Sequence, residues 1–213
     1  MKILCVVGAR PNYMKIAPIL EKMDKYNLAH PPPKIFEYLL IHTGQHYDDN
    51  MYNTFFNDLQ IPPPDIYLGV GSGSHAEQTA KIMVKFEQVC INEKPDLVIV
   101  VGDVNSTLSC SVVAAKLLIP TAHVEAGLRS FDRTMPEEIN RIITDSLSKY
   151  LFTTCRDANE NLKKEGHPEN RIYFVGNIMI DSLLIQKISH LKDKKLRGIK
   201  KERVWIINFT SSQ

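Results

Sequence analysis

The sequence predicts an α/β protein built on a doubly wound parallel sheet, Rossmann-like, with helices on both faces. Three observations carry that expectation. Continuous apolar runs such as 3–7 and 96–101 (DLVIVV) read as strands buried on both sides. Helical periodicity fills the stretches between them. Strand and helix then alternate, and right-handed crossovers turn that alternation into parallel pairing.

Taken in order, 3–7 is a strand closed by Gly8, and 11–23 is a helix through Met14, Ala17, Ile19, Leu20 and Met23. A second strand spans 36–41, and a helical stretch over 48–59 is broken by Ile61 and the prolines 62–64. A long helix covers 75–92, then come the strand 96–101, a helix over 105–118 and a short strand over 121–124. Helix 136–150, strand 151–154, helix 156–165 and strand 172–175 continue the alternation. Helix 178–190 and an apolar run over 204–209 close the chain. Residues 1–176 are expected to form one domain, with 177–213 a linker and the start of a second.

The 213 residues are 44% hydrophobic and 23% charged, which fits a globular chain and excludes disordered, collagen-like or coiled-coil classes. A net charge of +2 gives no reason to expect nucleic acid or membrane as partner. Residues 187–203 are net +6, but no aromatic is interleaved to stack on bases, so a solvated face or hinge is the plainer reading. No apolar run approaches the ~20 residues of a membrane span. The first apolar stretch ends at Arg10-Pro11 and reads as a buried strand, not a signal peptide. Cys5, Cys90, Cys110 and Cys155 lack any C-x-x-C or zinc spacing, which suits a reducing, cytoplasmic setting.

Ligands of open α/β sheets sit beyond the carboxyl ends of the strands. The strands of this chain run into Gly8-Ala9-Arg10-Pro11 with Lys15; His42-Thr43-Gly44-Gln45-His46; Gly102-Asp103; and Glu125-Ala126-Gly127-Leu128-Arg129, after which Pro136-Glu137-Glu138-Ile139-Asn140-Arg141 opens a helix. Glycine, acid, amide and arginine gather at one rim, which argues for a polar small-molecule site. Glu125 directly ends its apolar strand with no helix to cap, so its carboxylate is partly desolvated and suits a general acid or base. Asp103 reads equally as an N-cap. Glu137 fits a capping box with Thr134 and an i,i+4 pair with Arg141. Arg10 and Lys15 beside a glycine turn suit phosphate. His42 and His46 lack a carboxylate at metal-ligand spacing, so no metal is expected. The role of His123 stays open. Neither G-x-G-x-x-G, G-x-x-x-x-G-K-[ST] nor G-x-S-x-G occurs, which argues against nicotinamide or flavin enzymes, P-loop NTPases and α/β-hydrolases.

Together, Gly8-Ala9-Arg10-Pro11 with Lys15, His42-Thr43-Gly44-Gln45-His46, Gly71-Ser72-Gly73, Gly102-Asp103, His123 to Arg129, Pro136 to Arg141 and Gly176-Asn177 with Asp181 resemble the non-hydrolysing UDP-N-acetylglucosamine 2-epimerases over residues 1–185. That resemblance implies the N-terminal half of a two-domain GT-B enzyme. It implies interconversion of UDP-N-acetylglucosamine and UDP-N-acetylmannosamine, for cell-surface polysaccharides, with no cofactor. By the family pattern Asp103, Glu125 and Glu137 are the catalytic carboxylates. Arg10, Lys15 and Arg141 serve substrate phosphate or its positioning. Gln45 and His46 match a segment near a second, regulatory site for the nucleotide sugar. The family is usually dimeric through this domain. Its second domain supplies most uridine and diphosphate contacts and a catalytic histidine on a Thr-x-His-Arg-like turn, whereas the last histidine here is His190. Little turnover and weak nucleotide affinity are therefore expected of these residues alone. The competing expectations are a non-catalytic domain acting through association, or half of a GT-B glycosyltransferase.

Overall fold

The computed structural model describes residues 1–30, 35–44 and 62–184. Among these residues seven strands form one parallel sheet: β1 (Lys2–Val7), β2 (Glu37–His42), β3 (Ile66–Tyr67), β4 (Leu97–Val101), β5 (Thr121–Ala126), β6 (Tyr150–Thr153) and β7 (Ile172–Phe174). Their order is β3-β2-β1-β4-β5-β6-β7. The direction of winding therefore reverses between β1 and β4, the switch point of a Rossmann-like sheet. The helices are α1 (Arg10–Ala29), α2 (His75–Glu93), α3 (Asn105–Lys116), α4 (Pro136–Leu147) and α5 (Arg156–Lys164).

Both faces of the sheet are apolar, which is why its strands are continuous hydrophobic runs. On one face Ile16, Ile19, Leu20 and Met23 of α1 pack against Cys5, Val7, Ile99 and Val124. On the other, Ile82 and Phe86 of α2 and Cys110 and Val113 of α3 pack against Leu4, Val6, Val98 and Val100. Helical residues 178–184 join the α1 face through Ile178, and the Ser182 hydroxyl donates to the Met14 carbonyl.

Several boundaries differ from the sequence expectation. Helix α1 runs to Ala29 rather than stopping at Met23, because the Asn27 amide clasps both backbone groups of Phe36 at 2.7 and 2.8 Å and docks the last turn on β2. Helix α4 ends at Leu147, and Tyr150 belongs to β6 instead: Lys149 already donates to the Thr121 carbonyl and starts the next ladder. Strand β3 has two residues, too few to leave a periodic signal. Strand β5 does not end before Glu125. It continues through it to Ala126, with a register shift between Val124 and Ala126. The stretches at 48–59 and 204–209 and the basic segment 187–203 lie outside the described residues. Among those described, no helix is long and apolar enough to cross a membrane.

Candidate functional site

The switch point is tied together by one side chain. Asn12 accepts from the Gly8 and Ala9 amides at 3.1 and 2.9 Å and donates to the Val101 carbonyl at 3.0 Å. It thus fixes the exit of β1 against the exit of β4. Gly8 packs so tightly against α3 that a Cβ there would stand 2.1 Å from the Ser106 hydroxyl. Gly102 comes directly after β4 with φ +69, a conformation that favours glycine. A Cβ on it would meet Lys15 Nζ at 3.1 Å, Asn12 Nδ2 at 3.3 Å and Glu125 Oε2 at 3.8 Å. These groups surround one small turn.

Glu125 faces Lys15 because β5 bulges. Regular alternation would put Glu125 on the same face as His123, toward α3 and α4. The register shift and a φ of +75 rotate it instead, and its carboxylate meets Lys15 Nζ of α1 at 2.5 Å. Both side chains are mostly covered, 15% and 12% exposed. A left-handed φ on a non-glycine residue costs on the order of 1 kcal/mol or more and concentrates at functional positions. The local strain is what aims this carboxylate at the switch point.

Asp103 comes next after Gly102 and does not cap α3; Val104 holds the N-cap position without a side-chain bond. The Asp103 carboxylate, about one-third exposed, accepts from Arg141 Nη1 at 2.6 Å, and its carbonyl accepts from the Asn140 amide at 2.8 Å. The same arginine donates to Glu138 at 2.5 Å. Glu138 is buried and also accepts from the Ser130 and Phe131 amides, both at 3.0 Å. Burial opposes its charge, but those two amides and the Arg141 guanidinium outweigh it and bring its pKa down to about 2. Arg141 is thus a bridge between two acids.

Glu137 is exposed, and no hydrogen bond or ion pair reaches it among the described residues. The expected capping box is absent. Met135 is the N-cap of α4, and Thr134 bonds Asp132. The expected Glu137–Arg141 pair is absent too, because Arg141 is engaged by Asp103 and Glu138. The structure therefore brings Glu125 to Lys15 and Asp103 to Arg141 around Gly102, and leaves Glu137 at the N-terminus of α4 free of both pairs. Arg10 opens α1, its side chain outside the described part; Gln45 and His46 also lie outside the described residues. His42 is buried in a stack between Tyr13 and Tyr67, and burial pushes its pKa down to about 4. Among the described residues no group of three or more His, Cys, Asp or Glu is placed to hold a metal.

Sequence reasoning passed over Asn12, Glu138 and a buried network around His123. Within the fully buried network, His123 Nδ1 meets Asp145 at 2.6 Å and Nε2 meets the Gly102 carbonyl at 2.8 Å. Asp145 also accepts from the Gly127 amide at 3.0 Å and from Arg129 at 2.8 Å. Arg129 grips Glu165 with two nitrogens at 2.8 and 2.6 Å. Burial opposes the charge of Asp145, yet His123, Arg129 and the Gly127 amide hold its carboxyl below the usual carboxylate range.

A parallel sheet reversing at β1 and β4, with paired charges beyond that reversal, defines a Rossmann-like domain of the kind that takes a small polar ligand at its strand ends. The family model for UDP-N-acetylglucosamine 2-epimerase matches residues 31–209. The chain belongs to the UDP-N-acetylglucosamine 2-epimerase family. It is 47% identical over 184 residues to the UDP-N-acetylglucosamine 2-epimerase of Methanocaldococcus jannaschii, an alignment covering 86% of this chain and 48% of that protein. It is 44% identical over 187 residues to the UDP-2,3-diacetamido-2,3-dideoxy-D-glucuronate 2-epimerase of Pseudomonas aeruginosa, covering 86% and 51%. A crystal structure of the M. jannaschii UDP-GlcNAc 2-epimerase in complex with UDP-GlcNAc and UDP superposes with a TM-score of 0.82 at 45% identity, over 92% of this chain and 51% of that one. The apo lipopolysaccharide outer core galactosyltransferase WaaB, at 18% identity and a TM-score of 0.57, shares the fold alone. The chain spans about half the length of the curated relatives it matches.

Proposed function

We propose that these residues form the N-terminal half of the active site of a UDP-N-acetylglucosamine 2-epimerase, with the carboxylates Asp103, Glu125 and Glu137 as its proton-transfer and charge-stabilising groups. The observation that carries this reading is the strained Glu125, turned out of its strand toward Lys15 beside the Gly102–Asp103 turn, in a chain of this family.

The chemistry explains the need for acids. The sugar C1 is an acetal carbon, so the C2 proton is not activated by a carbonyl. A carboxylate takes the C2 proton as the C1–O bond to UDP breaks, and a C1–C2 double bond forms. Return of a proton to the opposite face of C2, with UDP re-adding at C1, gives the epimer. The sugar's oxidation level is unchanged overall, so no redox cofactor is required. Oxocarbenium character at C1 is stabilised by the same acids, and Lys15 and Arg10 suit the departing diphosphate. Arg141 serves by holding Asp103. We place residues 177–213 as the connection to a second domain that completes the cleft, Gln45 and His46 near a second nucleotide-sugar site, and the enzyme in the cytoplasm.

A homodimer through this domain is supported by α4. Its buried face is polar, with Glu138, Arg141, Thr144 and Asp145, while Met135, Ile139, Ile143 and Leu147 form an apolar stripe, each more than one-third exposed. Such a stripe suits a second copy of the chain.

The Pseudomonas relative widens the substrate class to UDP-2-acetamido sugars, all of which offer the same C2–H beside a UDP-bearing C1. The test is proton NMR in D2O with UDP-N-acetylglucosamine and with its 2,3-diacetamido glucuronate counterpart, on this chain alone and with a second-domain polypeptide supplied in trans. The expected result is loss of the C2 proton signal and appearance of the manno epimer once both domains are present. No C2 exchange from either sugar under those conditions would refute the reading.

A further inference from the structure

Both ring nitrogens of His123 face groups that can only accept a hydrogen bond. Nδ1 lies 2.6 Å from a carboxylate oxygen of Asp145, and Nε2 lies 2.8 Å from the Gly102 carbonyl oxygen. A neutral imidazole has one N–H and one lone pair. In either neutral tautomer one of these short contacts would set lone pair against lone pair. Turning the ring over would put carbon on both acceptors and strip Gly102 and Asp145 of their bonds in a site with no water access. Moving the proton to Asp145 is disfavoured, because Arg129 and the Gly127 amide already donate to that carboxylate.

We propose that His123 donates from both ring nitrogens, as an imidazolium, and acts as a positioning residue, pinning the Gly102 carbonyl and so the turn that presents Asp103. The charged groups around it are Asp145 on α4, Arg129 on the loop after β5, and Glu165 at the end of α5 beyond Arg129. Two cations and two anions balance along that chain, which runs from the buried His123 and Asp145 out to the part-exposed Glu165, so the charge on His123 adds no uncompensated ion. The second N–H is what the turn requires. Gly102 sits at φ +69 with Lys15, Asn12 and Glu125 packed around it, and a donor from beneath holds its peptide plane while Arg141 holds the Asp103 carboxylate from α4.

The inference rests on the epimerase reading only for the importance of Asp103. Its test needs no substrate, so the two can fail separately. The measurement is nitrogen–proton correlation NMR on the chain labelled with 15N-histidine, with His123→Gln to assign the signal. The expected result is two protonated ring nitrogens for His123 at neutral pH. A single protonated nitrogen there, on the wild-type chain, overturns the proposal. In Asp145→Asn the imidazolium should be lost by neutral pH; if it persists there, Asp145 is not its counterion and the proposal falls. The Gly102 amide donates to the Val124 carbonyl across the turn at 3.1 Å, and its exchange should quicken by about tenfold in His123→Gln as the turn loosens; an unchanged rate means the turn does not depend on His123 and sinks the positioning role. Should Asp145→Asn fail to fold, the wild-type spectrum decides alone.

Discussion

The sheet carries a close Lys–Glu pair at each end. At its amino ends Lys2 meets Glu93 at 2.6 Å; at its carboxyl ends Lys15 meets Glu125 at 2.5 Å. By distance the two are the same interaction. Their settings differ. Lys2 starts β1 and Glu93 ends α2, neither has a left-handed backbone, and both side chains stand about one-quarter exposed or more. Lys15 and Glu125 are about half as exposed, and Glu125 reaches its partner only by abandoning the regular strand. The first pair arises from where its elements happen to end. The second exists because the backbone is bent to make it. Strain, rather than proximity, separates a site from a surface contact.

That contrast can be broken in four ways. The largest effect is expected from Glu125→Gln, which keeps the shape but removes the proton acceptor: C2 exchange in the two-domain assay should fall by about 100-fold or more. Next is Glu138→Gln, measured by denaturant unfolding. It leaves the Arg141 guanidinium half-compensated and buried, and should destabilise by about 3 kcal/mol. The wild-type chain should also lose stability as pH drops from roughly 5 toward 2. The carboxyl of Glu138 titrates at about 2 when folded and at about 4.3 when unfolded, so its contribution is present above the unfolded value and disappears as the folded one is approached. Asp145, also lowered, adds in the same direction. Glu138→Gln should flatten that acid limb. Third, Glu125→Gly and Glu125→Ala should both lose exchange and both leave Lys15 without its partner, but the glycine variant should be the more stable of the two by about 1 kcal/mol, since glycine accepts φ +75 freely; equal stabilities would mean the bulge is not strained. Smallest is Lys2→Met, which should leave exchange untouched and shift unfolding only slightly, by an amount that high salt erases.

Much of the fold was legible because a doubly covered sheet writes itself as unbroken apolar runs; the 96–101 stretch could be little else. The rim that carries the candidate site stood out for a different reason, since glycine, acid, amide and arginine gather there. The mate of Glu125 was not, because a bulge reverses alternation without altering composition. Helix α4 was read only in part. Hydrophobic periodicity alone would have buried Ile139, Ile143 and Leu147, yet the structure turns Glu138, Arg141 and Asp145 inward. Arg141 and Asp145 find ionic partners on other segments, Asp103 and Arg129, while Glu138 is held by Arg141 and two loop amides, and no hydrophobic pattern announces these contacts. His123 and Asp145 are 22 positions apart, and only the packing of α4 over β5 makes them neighbours. Strand β3 was too short to register.

Helix α4 holds Asp103 through Arg141 at its middle and His123 through Asp145 near its end. One rigid rod thus grips the same turn twice, once by the carboxylate it presents and once from underneath. A tilt of that rod cannot loosen one grip and spare the other. Substitutions anywhere along its inner side should therefore behave as a single genetic unit, with losses that fail to add when combined.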